Sequence, residues 1–387
     1  MRRLLISGLT FLLFLFDGCV EPFEIKNVAF ANTLVIEGLL STQLKHHRIY
    51  ISRTSAIDER KFIPEPQAEV RIESKEGELI SLSESDPGVY ETPVLAGEAG
   101  HAYTLFVTTM DGRKYASRKV ILQDGPEISS VTANYLTGTD QGDGIRIAVN
   151  TEDPSRDTRY YRWNYIETYQ VQAPFPSNYI WLGGNDVVFR THGIDTCWVT
   201  DSLKTILIKN TAGLEHNKVA EFPLRFIPGY SHIMLYKYSI LVQQFTLSAQ
   251  SYEYWENLRI MNQNQGSLAD VQPGTLPGNV FSLTDERETV LGYFEACHVS
   301  EKRVFFTPDD FYSQGYALPK GIRSSCRELL PISAPELEIG AYMQIYSKDM
   351  LIRDSYGFSP FATFELMPKF CCDCRDLGPN EKPPFWQ

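Results

Sequence analysis

Between Asn32 and Leu122 the chain is a succession of short alternating runs: NTLVIEGLL, HRIYISRT, AEVRIES, ELISLSE, GVYETP, HAYTLFVTT and KYASRKVIL. Each has strand length and is rich in β-branched and aromatic residues. Alternation with period two sends successive side chains to opposite faces, so each run can bury one face and wet the other. Asp111-Gly112 in MDGRKY supplies a hairpin turn, and Asp86-Pro87-Gly88 in SDPGVY supplies another. Seven short strands in about 90 residues, with no helix between them, specify an N-terminal immunoglobulin-like β-sandwich, assigned to residues 32–124.

LQDGPEI around Gly125-Pro126 reads as a linker, and a second β-rich domain is assigned to 125–387. Its strands are ISSVTANYL, GIRIAVNTED, RYYRWNYIETYQV, TILIKNT, EFPLRFI and LYKYSILVQQFTL, followed later by TVLGYFEACHV and KRVFFTP. One clear α-helix is predicted over 249–265, with Ser248 as N-cap, Gly266 just past the end and Tyr254, Leu258 and Met261 forming its apolar stripe. Trp255 lies beside that stripe and is expected to pack inward. From Asp309 onward periodicity fades, and the expectation is extended chain laid over the second domain and stapled there. The fold class is mainly β.

The N-terminus sets the compartment. Met1-Arg2-Arg3 precedes an apolar run of 13 residues, Leu4 to Phe16, and FDGC follows. A basic start, an apolar stretch too short to span a bilayer and a small residue before a cysteine form an export signal of lipoprotein type. Residues 1–18 are therefore read as the signal, Cys19 as the lipidated residue and 19–31 as an acylated tether. Acyl chains at about 0.8 kcal/mol per buried methylene anchor durably without a transmembrane helix. Removal of Arg2, Arg3 and Asp17 leaves 34 basic and 47 acidic residues, a formal net charge of -13. An acidic chain with no basic stripe argues against nucleic acid as a partner.

Six cysteines remain: Cys197, Cys297, Cys326, Cys371, Cys372 and Cys374. In an oxidising envelope they are disulfide candidates, and six thiols allow 15 connectivities. A bridge from Cys326 to the tail would close a loop of about 45 residues, worth about 4 kcal/mol. Zinc and free or redox-active thiols are the competing readings of CCDC, which lacks the paired C-x-x-C spacing of a structural zinc site. The favoured reading is a clasp to Cys326 and Cys197, with Phe385 and Trp386 as packing anchors. The sequence contains no H-E-x-x-H, no G-x-S-x-G and no phosphate-binding loop, and neither a metal nor another cofactor is implied. His46 and His47, adjacent at a strand end, should diverge.

Aromatic residues crowd YYRWNYIETY and SNYIWLGG. Tyr161, Trp163, Tyr165 and Glu167 share one face of a strand, while Tyr160, Arg162, Asn164 and Ile166 share the other. That first face is either sandwich core or an exposed platform for sugar rings or peptide side chains. Tyr179 and Trp181 sit among Pro174, Pro176, Gly183 and Gly184, on an expected loop, and are the stronger candidates for ligand or partner contact.

Taken together, CVEPFE, YYRWNYIETY, YSILVQQFTLSAQSYEYWENL, GSLADVQPGTLPGNV, VLGYFEACHVSEKRVFF and CCDCRDLGPNEKPPFW resemble the Bacteroidota outer-membrane lipoproteins catalogued as domain of unknown function 4249. The resemblance implies a lipid-anchored outer-membrane protein, surface-exposed rather than facing the periplasm. Such proteins are often encoded beside a SusC-like TonB-dependent receptor and have no established reaction. Cys297 stands where relatives are expected to carry a small non-cysteine residue, so two outcomes are open: it supplies the sixth thiol of the pairing scheme, or it stays unpaired. Two functions follow. One is a non-enzymatic accessory protein that captures a glycan, peptide or chelate for a TonB-dependent β-barrel transporter or docks onto it. The other is a structural or interaction lipoprotein with no small ligand.

Overall fold

The computed structural model describes residues 32–55, 62–74, 77–155, 158–264, 276, 278–312 and 321–386. Cys19, its tether and nearly all of the loop after the long helix lie outside the described residues. The fold is mainly β, with several sheets, a few helices and two disulfides.

All seven N-terminal runs form strands. One sheet of the first sandwich is built on Leu34–Ser41, Arg48–Arg53, Val89–Glu91 and Ser83–Asp86, and the other on Lys114–Ser117, Ala102–Thr108, Glu69–Glu73 and Leu79–Ser81. Every second residue of Ala102–Thr108 is buried, as its alternation requires. Ile36, Ile49 and Ile51 from one sheet meet Ile72, Leu105 and Val107 from the other in a single apolar core.

Two strands from beyond residues 32–124 join this sandwich. Val280–Ser282 pairs with Lys114–Ser117, and Phe294–Cys297 runs parallel to Leu34–Ser41, so each sheet gains an edge strand from more than 150 residues away. The Asn279 side chain donates to Phe294 O (2.7 Å) and accepts from Phe294 N–H (2.8 Å), tying the two imported strands together. Close backbone approach fixes them in place. Gly292, at φ +95°, lies so near the first strand that a Cβ would stand 2.1 Å from Ile36 O, and one on Gly278 would stand 1.5 Å from Gly292 O. No side chain fits at either position.

Just past Cys297 the chain enters the second sandwich as Val299–Phe306. That strand joins a five-stranded sheet with Thr196–Ser202, Tyr160–Gln172, Tyr238–Leu247 and Leu207–Asn210, which packs on the meander Ile128–Thr139, Gly142–Glu152 and Lys218–Pro228. The long helix is Ala249–Asn264, and Ser248 caps it by accepting from Ser251 N–H at 3.1 Å. Among the described residues no helix is long and apolar enough to cross a membrane.

The C-terminal region is more ordered than its fading periodicity suggested. Ile332–Pro335, Thr363–Pro368 and Met350–Tyr356 form a three-stranded sheet, and helix Ile339–Tyr346 packs against it through Ile339 and Met343. Short, mixed elements give too few turns of any one period to be read from sequence. Two disulfides fasten the tail, Cys197–Cys374 and Cys326–Cys371. Trp386 then lies edge-on to Trp198 and Phe305, on the two outer strands of the five-stranded sheet, while the Arg303 guanidinium stacks on Phe385 at 3.7 Å.

Candidate functional site

The imported strand, the long helix and the first two strands meet around a groove of about 530 Å³. Small-molecule sites span about 300–1,000 Å³. Glu37, Gly38 and Leu39 form one wall, and Lys45, His46, His47, Arg48 and Tyr50 a second. Tyr254 and Trp255 close the groove from the helix, while Arg162, Tyr293 and Glu295 reach it from the long strand and the imported one. Thus the groove exists only because the two sandwiches are sewn together at this place.

Its floor is a buried ion pair. Arg162 Nη2 lies 3.2 Å from Glu295 Oε2, with the side chains 14% and 6% exposed. The guanidinium lies 4.0 Å from the Phe245 ring and 4.3 Å from the Trp255 ring, two cation–π contacts that hold it in place beside Glu295. Arg162 Nε has no hydrogen-bond partner among the described residues. Glu295 also accepts from the Ser251 hydroxyl and, at 3.4 Å, from Trp255 Nε1, so helix and strand are joined through one carboxylate.

Above the floor Tyr254 packs on Tyr293 with ring centroids 4.7 Å apart, and Trp255 stands edge-on to Tyr254. Burial pushes both tyrosine hydroxyls up to about 12, so they stay neutral donors across the physiological range. Burial also raises the Glu37 carboxyl and lowers the His47 imidazole. His47 is buried and hydrogen-bonded to Leu95 O, while His46 is exposed and bonded to Thr92 O; the two rings diverge as expected. The arrangement offers flat aromatic surface, neutral hydroxyls and both signs of charge.

The residues singled out from the sequence lie elsewhere. Tyr161, Trp163 and Tyr165 are 0%, 1% and 7% exposed in the core of the second sandwich. Trp163 stacks on Phe222 and donates to Gln244 Oε1 at 3.0 Å; these three rings are packing, and the platform reading falls. Tyr179 and Trp181 belong to a hairpin, Tyr179–Gly183 with Asp186–Phe189, not to a loop. Both are half-buried against the C-terminal sheet, where Tyr179 meets Phe364 edge-on and accepts from Ser355 Oγ at 2.8 Å. Neither lines the groove. The missed residue on that aromatic strand is Arg162, on the face opposite the core. A basic residue among rings was the available signal.

Of the six disulfide candidates, Cys297 and Cys372 are unpaired and buried. Burial raises the Cys297 thiol well above its ordinary range and pushes Cys372 up to about 12, which leaves both inert as nucleophiles. Among the described residues no group of three or more His, Cys, Asp or Glu could hold a metal ion.

A model of the family described as Domain of unknown function (DUF4249) matches residues 20–303. The match takes in every residue of the groove and stops short of the cysteine-rich tail. No curated protein matches the chain. Among solved structures, a DUF4785 family protein from Legionella pneumophila is 13% identical over 56% of this chain and 51% of its own, with a TM-score of 0.18. A Corynebacterium diphtheriae protein described as membrane anchored is 9% identical over 56% of this chain and 55% of its own, with a TM-score of 0.16. The chain spans about half the length of these structures.

Proposed function

The chain belongs to the DUF4249 family, and from that premise we propose that it is a non-enzymatic outer-membrane lipoprotein that captures a ligand for a TonB-dependent β-barrel transporter. In this reading Cys19 carries the lipid and the folded part stands on the cell surface, with the inter-sandwich groove as the capture site. The observation that carries it is the groove itself, where Tyr50, Tyr254, Trp255 and Tyr293 surround a buried Arg162–Glu295 pair. Such convergence of rings and a few fixed polar groups is the usual make-up of a small-molecule site. Protease shaving of intact cells tests the placement: the protein should be cleaved from outside, and Cys19→Ala should release it from the membrane fraction. Protection from external protease would rule out surface capture.

One observation favours docking without a small ligand. The turn after Met350–Tyr356 exposes Phe358 (90%) and Phe361 (82%), an apolar tip suited to a β-barrel receptor. Replacing both with serine should abolish co-purification of the receptor in mild detergent if docking is the main role, and leave it intact if the contact lies elsewhere.

A further inference from the structure

The charges around the groove constrain what it can hold. Arg162 is matched by Glu295, and Arg48 by Glu91 on the adjacent strand at 2.7 Å. Lys45 and Glu37 contribute one charge of each sign, so the lysine, arginines and carboxylates around the groove balance to zero. A strongly anionic or cationic ligand therefore meets no net field and would have to compete with pairs already made. A hydrocarbon ligand fails for the opposite reason. It would cover the Tyr254 hydroxyl and the Glu37 carboxyl without offering them partners, at a cost of about 1–3 kcal/mol for each group.

A neutral molecule with apolar C–H faces and a rim of hydroxyls meets both demands. Pyranose rings have that form: the C–H face packs on an aromatic ring, and each hydroxyl can donate and accept at once. The groove supplies rings at Tyr50, Tyr254 and Tyr293, donors at Arg162 and Lys45, and an acceptor at Glu37. Its volume of about 530 Å³ accommodates more than a single sugar ring. We propose that the groove binds a neutral oligosaccharide, stacked on Tyr50, Tyr254 and Tyr293 with its hydroxyls bonded to Lys45, Glu37 and the groove-lining guanidinium of Arg162. This rests on the groove being the capture site, and adds the ligand class.

The test is a titration of the purified full chain, followed by tryptophan fluorescence and calorimetry. The probes are neutral oligosaccharides with glucose, galactose, mannose, xylose and N-acetylglucosamine backbones, beside trigalacturonate and trialanine. Saturable binding of a neutral probe is expected, weakened roughly tenfold by Tyr50→Ala. Tyr50 is 40% exposed, so its removal leaves the core intact. A second variant, Arg162→Lys, keeps the charge but loses the flat edge and should weaken the same probe. Preference for trigalacturonate or trialanine, with both variants still affecting it, would overturn the ligand class and keep the groove as capture site. Neutral-sugar binding indifferent to both variants would place the sugar elsewhere and overturn the inference. No binding of any probe would overturn the inference and the capture reading together.

Discussion

Two regions of this molecule hold distant chain together by different means. At the seam, Val280–Ser282 and Phe294–Cys297 are held to the first sandwich by backbone pairing, by the Asn279 side chain and by glycines that allow contact. At the clasp, the tail is held by two disulfides with a tryptophan laid over a sheet. The seam depends on shape at every position, whereas the clasp depends on two covalent links buried among apolar side chains. The seam makes the groove. The clasp lies away from it, so breaking each should have separable consequences.

The largest effect is expected at the clasp. The Cys197–Cys374 bridge spans 177 residues, and Cys197→Ser with Cys374→Ser should cost about 5 kcal/mol on the chain-entropy model. Urea unfolding would measure it, and hydrogen exchange should rise around Trp386 while the groove strands stay protected. If the groove strands lose protection equally, the two fastenings are not independent.

At the seam, Gly292→Ala places a Cβ against Ile36 O at a positive φ, and about 4 kcal/mol should be lost. Here the expected exchange pattern is reversed: Leu34–Ser41 opens first and the tail stays protected. Asn279→Ala is milder. It removes two hydrogen bonds to the Phe294 backbone and leaves those groups unpaired, at a cost of about 2 kcal/mol.

Acid provides a tie that belongs to neither region. Burial pushes the Asp153 carboxyl up, but hydrogen bonds from Ser155 and Thr158 outweigh it and hold the group at about 2. A carboxyl depressed in the folded state stabilises above its unfolded pKa near 4, and that contribution fades as pH falls from about 4 to 2. Asp153→Asn should lose about 1–2 kcal/mol at neutral pH and flatten the acid limb of a stability–pH curve. Clasp and seam variants should lower that curve without changing its shape. The smallest expected signal is at the unpaired thiols: maleimide should not label Cys297 or Cys372 in the native protein, since both are buried. Rapid native labelling of Cys297 would show that the seam opens on its own.

What could be read from the chain was what local pattern encodes. The seven N-terminal strands follow from alternation and turn residues, and the helix over 249–264 follows from its cap and stripe. The Cys326 and Cys197 partners of the tail were also legible, because thiols clustered at one end of the chain narrow the choices. The aromatic run was harder. Its period of two separates Tyr161, Trp163 and Tyr165 from Arg162, but does not say which face meets a second sheet and which meets a groove.

By itself the sequence determined the β class, the first sandwich's own strands, the long helix and family membership. Each of these is written in adjacent residues or in a contiguous signature. Only the tertiary structure decided that Val280–Ser282 and Phe294–Cys297 complete the first sandwich, and that Arg162, Tyr254 and Tyr293 face Glu37 and Tyr50. Pairing a three-residue strand with a partner over 150 residues away has no local signal. Its stability comes from burial and backbone contact that exist only once both sandwiches are in place.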